Sequence, residues 1–144
     1  MIFTALLAML ATTGMAETDE LSDLRVIAAM QLAWLQSKNG LAGDEAGFRL
    51  DGTRSDYKIV AARPTNEYLQ QRLWIIPGVT FAVFHVHPTR VDPAPSKQDK
   101  ASADQYGVKI FTIHAMGLFM YDPATRTTVK LRNRLEWMKP VEMP

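Results

Sequence analysis

His85-Val86-His87-Pro88, then seven residues, then Ser96-Lys97-Gln98-Asp99 is the stretch of this chain whose residue types and spacing could do chemistry. Residues two apart on a strand project from one face, so both imidazoles can reach a common point. Pro88 cannot donate to a sheet ladder and tends to end the strand beside them. Asp99 then arrives in the first turn of the helix that follows the proline-rich loop at residues 88–95. Two neutral imidazoles and a carboxylate form a three-ligand set that leaves the fourth position of tetrahedral zinc open for water. Coordination lowers the pKa of such a water to about 7, which supplies hydroxide near neutral pH. A second carboxylate, acting as base beside that water, would complete a hydrolytic centre.

This stretch resembles the JAMM (MPN-domain) metalloprotease family. The family's hallmark is His-x-His-Pro, seven residues, Ser-x-x-Asp, with a Glu contributed from an earlier strand or turn. The spacing here matches without a gap. Five fixed residue types at fixed offsets should arise by chance in on the order of one chain in ten thousand or fewer at ordinary usage. The resemblance implies an α/β (α+β) single domain, with a mixed central sheet flanked by helices in the cytidine-deaminase-like arrangement. It implies that His85, His87 and Asp99 bind Zn2+. It implies too that Ser96 donates a hydrogen bond to the substrate oxyanion or the attacking water. By the same resemblance a Glu activates the water and later protonates the leaving amine.

Glu45 is the candidate for that Glu, because it follows the first predicted helix and precedes Gly47 and the strand at residues 48–50. Glu67 is the rival, on a predicted helix or turn that the family would place elsewhere. Glu17, Glu20 and Glu136 fit less well. The match runs from roughly Glu45 to Tyr121, and its specific part is His85 to Asp99.

The elements that must position these residues can be read from periodicity. Residues 21–38 read as one amphipathic helix, with Ser22 or Asp19 as cap and Asn39-Gly40 as stop. Its stripe is Leu21, Leu24, Ile27, Ala28, Leu32 and Leu35, suited to covering one face of a sheet. Strands are predicted at 48–50 and 57–61, separated by a polar turn at 51–55. A short helix is predicted at 64–72. Residues 79–87 carry the strongest strand signal in the chain. A helix at 96–106 opens on a Ser-x-x-Asp capping box, a role compatible with aiming Asp99 at a metal. Further strands are expected at 108–114, 118–121 and 127–131. Strands interleaved with helices imply a sheet with helical cover rather than a bundle.

Composition bounds the rest. With 144 residues, 47% of them apolar and 22% charged, the chain suits one globular domain. A formal charge of +1 gives no broad field for nucleic acid or an anionic membrane. The absence of cysteine excludes a disulfide framework, a thiolate zinc finger and a cysteine nucleophile. Residues 2–10 are almost entirely apolar, and Gly14 and Ala16 occupy the −3 and −1 places of a signal-peptidase site. The run is short for a membrane span of about 20 residues. Residues 1–16 therefore read as a secretory signal, and residues 17–144 as the domain. The alternative is an apolar anchor or a helix packed on the core.

That leader predicts a periplasmic or secreted protein with no membrane span after cleavage. The expected partner is a peptide or protein substrate, such as an envelope protein or a peptidoglycan peptide, and not nucleic acid. A toxin or effector role, a non-peptide amide substrate and a non-catalytic interaction module on the same fold are the competing readings. His114 has no spaced partner and reads as a packed, hydrogen-bonded histidine. Lys130, Arg132 and Arg134 alternate with Leu131 and Leu135 as on a strand with one solvated face. Trp34, Trp74 and Trp137 have no cage-like spacing and default to packing.

Overall fold

The run Thr80–Val86 (TFAVFHV) is β-branched or aromatic at most positions and is buried along nearly its whole length, as a strand covered on both faces must be. It is the third strand in a computed structural model that describes residues 19–41, 46–62 and 75–134. After a 3-10 turn at Asp19–Ser22 come α1 (Leu24–Gln36), β1 (Gly47–Thr53), β2 (Asp56–Ala61) and β3 (Thr80–Val86). The chain continues through α2 (Lys97–Tyr106), β4 (Lys109–His114), β5 (Gly117–Asp122) and β6 (Thr127–Asn133). The six strands form one mixed sheet in the order β2-β1-β3-β4-β5-β6. Among the described residues only β3 and β4 pair in parallel, and α2 is the crossover that a parallel pair requires.

Phe48, Phe84 and Phe111 are register partners on β1, β3 and β4. Their rings stack nearly parallel across the sheet, with centroids 4.7 and 4.2 Å apart. Each such pair adds about 0.5–1.5 kcal/mol beyond area burial. They share the α1 side of the sheet with Val86, Ile113 and Leu118. Alternation then sends Val83 and Ile110 to the opposite face, where they pack with Ala103 of α2, Val108 and Tyr121. His85 lies on that second face.

The first helix differs from the sequence expectation in start, cap and face. Asp19–Ser22 forms the 3-10 turn, and Asp23 is the N-cap, its side chain accepting from Arg25 N–H. The buried stripe is Val26, Met30 and Ala33, whereas Leu24, Leu32 and Leu35 are 79%, 53% and 63% exposed. The reason is that α1 carries one charge in 13 residues, so apolar spacing marks two faces and cannot choose between them. The choice falls to a polar tie. The Tyr57 hydroxyl of β2 donates to Asp23, and the Arg25 guanidinium lies 5.2 Å from the Tyr57 ring centre. Burial and the bond to Asp23 push the Tyr57 phenol up to about 12, so the tie persists across the neutral range. The helix ends at Ser37, followed by Lys38, Asn39 and Gly40 in the left-handed region.

The first strand also runs longer than expected, through Asp51 and Gly52 to Thr53, so the hairpin turn is confined to Arg54-Ser55. Asp51 tolerates a strand position because Arg49 pairs with it at 2.9 Å and the Thr80 hydroxyl donates to it at 2.7 Å. The expected helix at 64–72, the leader at 1–16, Trp74 and Trp137 lie outside the described residues. Among the described residues no helix is long and apolar enough to cross a membrane.

Gly47 pairs with His85, and a Cβ placed there would sit 2.3 Å from the Phe84 carbonyl oxygen. Gly47→Ala must therefore push β1 from β3 beside the histidine pair. Denaturant unfolding should show a loss of about 1–3 kcal/mol, the usual cost of overpacking.

Candidate metal centre

The chain leaves β3 at its C-terminal end, where β1 flanks it antiparallel and β4 flanks it parallel. Open α/β sheets bind their ligands outside the carboxyl ends of strands. His85 and His87, two apart, stand there on the α2 side, 6% and 5% exposed. Their rings meet edge to face with centroids 4.8 Å apart. Asp99 reaches them from the first turn of α2: Oδ1 is 3.3 Å from His85 Nε2 and Oδ2 is 3.3 Å from His87 Nε2. One ligand atom from each of the three lies within 4.8 Å of the others, a grouping able to hold a metal ion. The structure thus brings together the three predicted ligands.

Local structure aims each of them. Ser96 is the N-cap of α2, its Oγ accepting from Asp99 N–H at 3.0 Å, while Asp99 Oδ2 accepts from Ser96 N–H at 2.7 Å. The reciprocal capping box leaves the carboxylate little rotational freedom. His87 Nδ1 lies 2.9 Å from the Asp92 carbonyl oxygen. A carbonyl only accepts, so Nδ1 carries a proton and Nε2 is the ring nitrogen turned to Asp99. The loop supplying that carbonyl is staked at several points. Thr89 N–H donates to the Gly40 carbonyl at 2.9 Å, Ala94 N–H to Asp92 Oδ1 at 2.9 Å, and the Thr112 hydroxyl to the Pro93 carbonyl at 2.6 Å. Pro88 and Pro95 are buried.

Electrostatics keep the acid charged. Burial pushes the Asp99 carboxyl up, but the imidazoles of His85 and His87 and the Ser96 N–H together hold it far below the usual carboxylate range. Its charge-pair stabilisation is present above the unfolded Asp value of about 3.9 and lasts until pH falls through its own lowered pKa.

Ser96 is exposed and joins the site through the cap. Glu45, like Glu17, Glu67 and Glu136, lies outside the described residues. Glu20 is described and buried, pairing with Arg54 at 3.5 Å beside the start of β3, at the end of that strand away from the histidines. His114 is buried and hydrogen-bonded, outside the ligand group, as a packed histidine should be. Sequence reading missed Thr112 and the Asp92 carbonyl. Neither has a local signal, since one acts through a neighbouring strand and the other through its backbone.

No family model, curated protein or solved structure matches this chain.

Asp99→Asn preserves shape while removing the negative charge and one acceptor. Divalent-cation affinity, measured by chelator competition, should fall by more than about 100-fold, since even outer-shell partners of a ligand are worth 10–100-fold.

Proposed function

We propose that this protein is a zinc-dependent hydrolase of JAMM type that cleaves a peptide or isopeptide bond. The observation that carries the reading is the convergence of His85, His87 and Asp99 at one strand end, in the order and spacing of the His-x-His-Pro, Ser-x-x-Asp pattern. Two imidazoles and one carboxylate are a borderline donor set that suits zinc, with room for an open fourth position. When bound, zinc supplies Lewis-acid polarisation and a water of lowered pKa.

The chain's own residues carry the remaining roles. His85, His87 and Asp99 hold the ion. Ser96 Oγ accepts from Asp99 N–H and keeps its hydroxyl proton for donation to an oxyanion. Glu45 takes the proton from water and delivers it to the departing nitrogen. Support for Glu45 comes from the residue that follows it. The Ala46 carbonyl accepts from Val86 N–H at 2.8 Å, so the described chain begins β1 directly alongside the histidine pair. The apolar leader favours an exported enzyme acting on envelope proteins or peptidoglycan peptides.

The test pairs zinc analysis with a peptide-library cleavage assay on the wild type and Glu45→Gln. The variant should keep its metal and lose turnover by at least about 100-fold, the lower range for a general base. Equal turnover would refute the mechanism, and a wild type without zinc would refute the site.

A further inference from the structure

We propose that β6 is a docking edge for an acidic, extended polypeptide, which joins the sheet as an additional strand. β6 ends the order β2-β1-β3-β4-β5-β6 and pairs with β5, and among the described residues its outer side has no partner strand. An edge strand presents a row of backbone N–H and C=O groups to any chain able to pair with them. Thr127, Thr128, Lys130 and Asn133 are exposed, and Val129 and Leu131 are half-buried although both are apolar. Leu131 packs against the α1-side core, and Val129 pairs with Met120 of that core. A further strand would therefore extend a layer that stops short at this edge.

Charge selects the occupant. Arg126, Lys130, Arg132 and Arg134 stand on or beside β6, and no acidic residue occurs between Asp122 and Glu136. Among the described residues no ion pair joins Arg126, Lys130 or Arg134 to a carboxylate. His85, Thr112, Phe119 and Lys130 are successive register partners from β3 to β6, so Lys130 shares the face of the metal ligands. Its ammonium lies 5.6 Å from the Phe119 ring centre. The opposite edge, β2, carries one acid and one base, Asp56 and Lys58. A second copy of this chain does not suit β6, because pairing the two edges would set cations against cations. An acidic strand instead places carboxylates across from Lys130, where opposite charges stabilise a strand pair. In such additions main-chain bonds give affinity and side chains give specificity. Three strand spacings of 4.7–4.9 Å put β6 about 14 Å from β3, so a docked segment lies beside the metal centre without reaching its ligands.

The test titrates the full chain into a fluorescein-labelled peptide of alternating Glu and Val at low salt. Polarisation reads affinity, and amide hydrogen exchange is followed on the same mixture. Three comparison probes are an alternating Lys-Val peptide, the Glu-Val peptide N-methylated at its valines, and a thymidine oligonucleotide of similar length. The Glu-Val peptide should bind about 10-fold or more tightly than each of them, the effect of a few cross-strand charge pairs. It should also slow amide exchange within residues 127–133. Lys130→Glu combined with Arg134→Glu should reverse the preference towards the Lys-Val peptide. Should that double variant fail to fold, Lys130→Glu alone decides, since its side chain is exposed. Equal binding of the N-methylated peptide or the oligonucleotide would show charge attraction without strand addition and overturn the proposal. No binding of the Glu-Val peptide, or binding that leaves exchange at 127–133 unchanged, would overturn it as well.

Discussion

The register of β3 against its two neighbours is the constraint on which the rest of the molecule depends. Phe48, Phe84 and Phe111 stack in line across β1, β3 and β4, and a slip by one residue would turn every side chain of β3 to the other face. His85 would then enter the apolar layer under α1, and Phe84 would face α2. A strand buried on both sides resists such a slip strongly, because each face has its own core to fill. The aromatic ladder thus sets where the imidazoles point.

A second coupling runs through Asp99. The same carboxylate closes the capping box of α2 and lies between two imidazoles, so the start of the helix and the geometry of the site are one arrangement. Ligands on a strand end and a capped helix turn are held by rigid elements, which suits a site that must keep its shape. The intervening loop is tied down by its own prolines and by bonds to Gly40 and Thr112, which are remote in sequence. Immobility of the backbone there matters because the Asp92 carbonyl selects the tautomer of His87.

How much of this was legible in the residues depended on whether the signal was local. The β3 strand and the α2 capping box announce themselves within ten residues, and they appear as expected. The phase of α1 was not legible. Its residues are apolar on two sides, and the deciding contact, Tyr57 with Asp23, joins elements that are distant along the chain. The extent of β1 was obscured likewise, because Asp51 looks like a turn residue until Arg49 and Thr80 are seen to satisfy it.

The sequence by itself determined the donor set: two histidines two apart, a proline to end their strand, and an aspartate at the third position of a capped helix. Those facts are local, since period-two alternation and helix capping need no knowledge of the remaining chain. Only the tertiary structure decided that the three groups meet, which face of the sheet they share, and which backbone carbonyl orients His87. Such choices depend on register and on burial between elements far apart in sequence, and pairing energies of that kind leave no mark in any one segment.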